Sequence, residues 1–260
     1  MTELASAIVD NRIPDRPFFY WFHYVDPHNP YDFHPEFNPA KKRPFGMSRV
    51  ESVRMRYDSE IAFTDHHIGN LLSCIPSENT FIVFVADHGE SLFEHNYIGH
   101  TRRVWQTNIH IPLIVSGPGV VPGRSAAAAR GIDLGPTLLR LAGLEPAETM
   151  LGQDLMKPGV PMDRIRVVET FSGDIPKGPN SAIVLADREP IWQAVIAGYW
   201  KLLVSSEGTF LYVITKDPNE LKNVASRQVK CIAALKKILD EWVRDTPRSD
   251  LPGAALSQED

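Results

Sequence analysis

Cysteine is scarce in this chain. Cys74 and Cys231 are the only two in 260 residues, too few and too far apart in sequence for a disulfide framework or a thiolate metal cluster. They read as core or near-surface thiols. No apolar stretch approaches the roughly 20 residues that a membrane-spanning helix needs. The opening Met1–Asp10 has neither the basic stretch nor the apolar stretch of an export signal, so the chain as given reads as unanchored and cytoplasmic. Positive charge is not in excess: the net charge is -5, which argues against a nucleic-acid footprint. There is no internal repeat, and no low-complexity tract beyond Ala126–Ala129. With 43% hydrophobic and 23% charged residues, what remains is an ordinary globular composition, large enough for one big core or two modest ones.

The most informative stretch is the apolar run Phe81-Ile82-Val83-Phe84-Val85-Ala86, which stops at Asp87-His88-Gly89-Glu90; His95 and His100 follow shortly. The run is too short for a helix and reads as a strand buried on both faces, as in the middle of a parallel sheet. Ligand sites in such sheets lie at the carboxyl ends of strands. Asp87 and His88 at that edge bring an oxygen and a nitrogen donor within reach of one ion, and Gly89 frees the backbone to turn. An Asp and a His can equally cap and hydrate a strand end.

The same arrangement occurs earlier. Pro17–Val25 is an aromatic-rich run that reads as a strand, and it ends at Asp26-Pro27-His28-Asn29-Pro30-Tyr31. Residues 26–45 hold five prolines and two histidines, so this is a long irregular loop, of the kind that is usually functional or disordered. If both strands end on one edge, His28 faces His88 and His100 across a shared crevice.

Regular elements fill the rest. A short helix spans residues 2–10. An amphipathic helix runs from Ser48 to about Leu72, started by Ser48 with Glu51 in capping-box spacing. Ile111–Gly119 reads as a second buried strand broken by Gly and Pro, and residues 133–142 as a helix with Asp133 as N-cap and Gly143 as the stop. Strand and helix alternate to this point, an α/β pattern. From about Arg164 the texture changes to short strands at 167–168, 182–185, 194–196, 201–204 and 210–213. Turns such as Glu207-Gly208 separate them, a spacing that favours hairpins. A final helix from about Asn219 or later to Val243 should cover that antiparallel sheet, and the last ten residues read as frayed. The expected organisation is an α/β portion over residues 1–160 and a small α+β subdomain over 161–260.

Taken in order, these segments closely resemble the C-terminal half of the sulfatase family, within the alkaline phosphatase superfamily. The residues that carry the resemblance are Pro17-Phe18-Phe19, Asp26–Tyr31, and Tyr57, Glu60, Ile61, Asp65, Ile68 and Gly69 on the long helix. Then come Ala86–Glu90, Glu94-His95, Gly99-His100, Ile111–Ile114, Gly117–Gly119 and Asp133–Leu139. In the tail they are Tyr199–Leu202, Leu211-Tyr212 and Asp217–Glu220. The implied fold is part of a doubly wound, mostly parallel sheet flanked by helices, with a small C-terminal antiparallel sheet plus helix.

The implied activity is metal-dependent hydrolysis of sulfate esters, small-molecule or glycan. By resemblance, Asp87 and His88 supply two ligands of a divalent metal. Calcium is the family's usual ion, while the imidazole of His88 suits Mn²⁺ or Zn²⁺. His100 stands where the family places the group that protonates the leaving alkoxide, His28 holds a sulfate or leaving-group oxygen, and His95 is either a substrate contact or a structural hydrogen-bonder. The family's nucleophile, a formylglycine made from Cys-x-Pro-x-Arg or Ser-x-Pro-x-Arg, belongs to an N-terminal half that this chain does not contain. Cys74-Ile75-Pro76-Ser77-Glu78 is a decoy, with Glu where a cation should steady the sulfate. Two alternatives stay open: an inactive remnant, and part of a phosphonate or phosphodiester hydrolase of the same superfamily. His66 and His67 read as packing or hydrated, and Arg102 and Arg103 as solvated surface.

Overall fold

The computed structural model describes residues 1–13, 16–38, 46–76, 78–171 and 190–246. They form two units interleaved along the chain. The first comprises Met1–Ala86, Glu90–Gly99 and Pro112–Val121, the second Asp87–Gly89, His100–Ile111 and Pro122 onward. The expected strand at 182–185 and the last ten residues lie outside the described residues.

In the first unit, α1 (Thr2–Asp10) and α2 (Arg49–Ser73) bury Ala5, Val9 and Leu71 against Tyr20, Phe22 and Tyr24. The Ser48 hydroxyl accepts from the Glu51 N–H at 3.3 Å and Glu51 accepts from the Ser48 N–H at 3.0 Å, so the expected capping box starts α2 by satisfying two of its orphan donors. β1 (Ile82–Val85) pairs with β4 (Leu113–Ser116), Ile82 opposite Ser116 and Val85 opposite Leu113. A small hairpin, β2 (Ser91–Leu92) and β3 (Ile98–Gly99), follows the Asp87 loop.

Two expectations are corrected here. β1 is antiparallel to its described partner and is not buried on both faces: Phe84, Val85 and the facing Ile114 are exposed. Pro17–Val25 is extended, with exposure alternating from Phe19 to Val25, but it belongs to no described ladder. A strand's apolar character reports that something should cover it, not where the cover comes from.

In the second unit, β5 (Arg166–Phe171), β6 (Pro190–Ala197), β7 (Trp200–Ser205) and β8 (Gly208–Val213) form an antiparallel sheet in simple sequential order. This is the hairpin arrangement that the spacing implies. Both faces are covered. Val195, Leu202 and Leu211 pack on Leu235 and Leu239 of α5 (Val229–Asp245). Trp192, Ala194, Leu203 and Tyr212 pack on Val104 and Trp105. The period-2 alternation of a strand thus divides the apolar residues between two cores.

The helix α4 (Leu134–Leu141) ends as expected, with Gly143 in the left-handed conformation at φ 74°. Its start differs. Asp133 makes no side-chain cap. It is fully buried and takes a two-pronged ion pair from Arg164 at 2.7 and 3.0 Å, plus the N–H groups of Arg130 and Gln153. A buried carboxylate needs that many donors to offset its lost hydration. Cys74 and Cys231 are free and partly buried, as expected.

Candidate active site

Asp87, His88 and His100 fall in one unit, and His28 and His95 in the other. Asp87 directly follows Ala86 at the end of β1, and its carboxylate is largely exposed. One oxygen accepts from the His88 N–H at 2.9 Å, and the other lies 3.6 Å from His88 Nε2. His88 Nδ1 is 2.9 Å from the Gly89 carbonyl oxygen. A carbonyl accepts only, so in the neutral ring Nδ1 carries the proton and Nε2 keeps a lone pair, the tautomer found in metal-binding histidines.

The site's donor set can be tested against a metal. An Asp oxygen and an imidazole Nε2 at 3.6 Å are within the span open to two ligands each about 2.1 Å from a common ion. They fit as part of a coordination sphere. No group of three or more His, Cys, Asp or Glu able to hold a metal occurs among the described residues.

The rings of His88 and His100 are stacked, centroids 3.9 Å apart and planes 27° from parallel. The C-terminal sheet fixes His100 through the segment that follows it. The Thr170 hydroxyl donates to the Thr101 carbonyl. Arg103 pairs with Glu207 at 2.8 Å and lies over the Trp192 ring at 5.0 Å, which corrects its reading as solvated surface. Val104 and Trp105 enter the core. The Gln106 N–H, at the start of α3 (Gln106–Ile109), donates to Glu220 at 2.7 Å. Glu220 in turn pairs with the fully buried Lys201 at 2.5 Å. Burial pushes the Lys201 ammonium down to about 8, against the pull of Glu220.

Gly89 serves a different purpose from the one its sequence context implies. Its φ is not in the left-handed region. Its N–H donates to the Asn108 carbonyl at 2.8 Å, and a Cβ there would stand 2.1 Å from the Thr107 carbonyl oxygen. Close approach, not freedom to turn, excludes a side chain.

His28 follows the strand Pro17–Val25 in a tight turn, its N–H donating to the Val25 carbonyl and its Nδ1 lying 2.7 Å from the Asn29 carbonyl oxygen. Downstream the loop is held firmly. Tyr31, buried, donates to Glu90 at 2.8 Å. Glu60 of α2, also buried, accepts from the Asp32 N–H at 2.6 Å and pairs with His34 at 3.0 Å. Tyr31, Glu90 and Glu60 are positions that sequence reasoning assigned no role. The one available signal was Glu60, a carboxylate on an otherwise core-facing stretch of helix. His95 sits at φ 52° in the turn between β2 and β3, partly buried. The neighbouring Glu94 accepts from the Leu92 N–H at 2.5 Å and pairs with Arg54 at 2.7 Å. His66 and His67 lie among the rings of Phe37 and Phe63, packing as expected.

No helix among the described residues is long and apolar enough to cross a membrane. The family model Sulfatase matches residues 1–144. Arylsulfatase K of Xenopus laevis is 26% identical over 236 residues, covering 85% of this chain and 42% of its own length. The chain thus spans less than half of that relative. Among solved structures, a Bacteroides thetaiotaomicron protein of glycosaminoglycan metabolism superposes with TM-score 0.72 at 21% identity, covering 94% of this chain and 60% of its own. A phosphonate monoester hydrolase of Agrobacterium radiobacter superposes with TM-score 0.56 at 22% identity, covering 75% of this chain and 42% of its own. The fold is accordingly the mixed α/β fold of those proteins.

Proposed function

This chain belongs to the sulfatase family, and on that premise we propose that it carries the metal and leaving-group side of a sulfatase site acting on sulfated glycans or smaller sulfate esters. The observation that carries the reading is the exposed Asp87–His88 donor pair with the His100 ring stacked on it. A divalent ion held there would polarise the sulfate oxygens. Asp87 and His88 hold two of its positions, and Ca²⁺, Mn²⁺ and Zn²⁺ are the candidates, His88 favouring the latter two.

His100 delivers a proton to the departing alkoxide, a task suited to an imidazole near neutral pH. His28 holds a sulfate or leaving-group oxygen, and His95, in its strained turn, contacts substrate or supports the loop. The Tyr31–Glu90 hydrogen bond ties down the loop that follows His28. The formylglycine nucleophile comes from polypeptide outside this chain, because no Cys-x-Pro-x-Arg or Ser-x-Pro-x-Arg occurs in its sequence. The glycosaminoglycan context of the Bacteroides protein supports a sulfated glycan as substrate.

His88 and the likeness to the phosphonate monoester hydrolase favour a second reading, phosphonate or phosphodiester hydrolysis on the same scaffold. One experiment separates the two. The chain alone should turn over neither ester class, for want of a nucleophile. Joined to a family half bearing Cys-x-Pro-x-Arg, it should hydrolyse sulfate esters in preference to phenyl phosphonates. Preference for the phosphonates would reverse the assignment, and turnover by the chain alone would sink the requirement for a second half.

A further inference from the structure

The residue after His100 holds a conformation that its side chain disfavours. Thr101 has φ 77°, and the Arg102 N–H donates across it to the His100 carbonyl at 3.0 Å. A bond from residue i+2 back to residue i about a central residue of that φ is a γ-turn of the rare, strained hand. A β-branched side chain makes the strain worse, because its Cβ crowds the backbone where φ is positive. Glycine would sit there without a steric cost. Strain of this kind persists only where the surroundings enforce it, and it gathers at functional sites.

What enforces it is a short row across the C-terminal sheet. Thr170 of β5 stands opposite Trp192 of β6, and the ladder shifts register directly after it, between Thr170 and Phe171. The Thr170 hydroxyl donates to the Thr101 carbonyl, and Arg103 lies over the Trp192 ring. Two cross-strand neighbours of the sheet therefore grip the chain at residues 101 and 103. A register shift in a strand commonly re-aims a side chain beside a functional site. Val104 and Trp105 are anchored in the core, so the turn links an anchored segment to the His100 backbone.

We propose that Thr170 is a positioning residue for His100: its hydroxyl holds the Thr101 turn closed, and the closed turn sets the His100 ring in its stack on His88. With Val104 and Trp105 held, rotation of Thr101 to negative φ must move the residue that precedes it, which is His100. The strained turn is thus kept in place by a bond from a strand 69 residues downstream. The use of this placement in proton delivery rests on the role proposed above for His100, whereas the placement itself does not.

The test is the nuclear Overhauser contact between the ring protons of His88 and His100 in the full chain, with the amide signals of β7 and β8 as a control for the sheet. Wild type should show the contact, as rings with centroids 3.9 Å apart require. Thr170→Val puts a methyl in place of the hydroxyl and should abolish the contact while the β7 and β8 signals stay where they are. Thr170→Ser keeps the hydroxyl and should retain it. Thr101→Gly relieves the strain, so it should restore the contact in the Thr170→Val chain, a coupling that independent residues do not show. Contact that survives Thr170→Val overturns the proposal, as does its loss in Thr170→Ser or a failure of Thr101→Gly to restore it. Loss accompanied by displaced β7 and β8 signals overturns it as well, since the sheet and not the hydroxyl is then responsible. Because no turnover is read, failure of His100 as the acid leaves this result untouched.

Discussion

The phenol of Tyr31 donates to a carboxylate oxygen of Glu90 across 2.8 Å, with the Tyr57 ring edge-on to Tyr31 at 5.3 Å. Burial and the adjacent Glu90 hold the Tyr31 phenol protonated well above its usual range. The bond spans 59 residues of sequence, so it fixes tertiary structure and not a local turn. Tyr31→Phe removes the donor and strands a carboxylate oxygen. The expected loss is about 1–2 kcal/mol in urea unfolding, with faster proteolysis in the 26–34 loop. An unchanged midpoint and digestion pattern would show that the loop is held by Glu60 alone.

Gly89 admits no side chain. Alanine there would put its Cβ 2.1 Å from the Thr107 carbonyl oxygen, so either the 107–108 segment or the His88 loop must move. Gly89→Ala should cost roughly 1–3 kcal/mol and shift the His88 and His100 imidazole resonances, whose stacking makes each ring sensitive to the other. A thermal midpoint equal to wild type would mean that the contact relaxes freely.

Much of this was legible in the sequence. The capping box of α2, the glycine stop of α4 and the hairpins of the C-terminal sheet depend on residues close together in the chain, and local chemistry decides them. The pairing of β1 and the ladder-free state of Pro17–Val25 were not legible. Apolar runs record burial averaged over the whole fold, and this chain spans only part of it. Residue type and spacing single out Asp87, His88 and His100 as candidates. The apparatus holding His100 did not: Lys201, Gln106 and Glu220 are joined across 95 and 114 residues, and no short motif encodes such a meeting.

Metal binding by the chain alone should be weak. Two ligands gain little over the ion's hydration shell. Calorimetric titration with Ca²⁺, Mn²⁺ and Zn²⁺ should give at most shallow isotherms, Zn²⁺ strongest, and Asp87→Ala should flatten them. Tight binding that survives Asp87→Ala would place the ion elsewhere.

Stability should depend on pH in two directions. The folded-state pKa of Lys201 is lowered from 10.5 to about 8 by burial. Between those values the unfolded chain holds the proton that the folded chain has released, so unfolding free energy rises with pH from about 8 toward 10. Tyr57 and Tyr212 are raised from 10.0, Tyr212 to about 12, chiefly by burial. Their neutral forms are favoured by folding, and that advantage is lost as pH climbs above 10; the raised Cys231 thiol begins to act the same way above 9. Urea unfolding at pH 7, 8.5, 9.5 and 11 should therefore pass through a maximum. Lys201→Met should remove the rising limb and keep the falling one.

In a protein carrying the nucleophile, His100→Ala should slow esters with poor leaving groups far more than nitrophenyl sulfate, because a good leaving group departs without a proton. A general acid typically contributes about 10²–10⁴-fold. Equal losses on both substrates would make His100 a binding residue.

The chain crosses between its two units after Ala86, Gly89, Gly99, Ile111 and Val121. Three residues, Asp87–Gly89, belong to the second unit while the segments on either side belong to the first. No single backbone cleavage can therefore release one unit intact from the other, and a gene split near residue 160 would divide the second unit internally, parting His100 from the sheet that fixes it. Asp87 and His88 thus share a unit with Lys201 and Glu220, more than a hundred residues downstream.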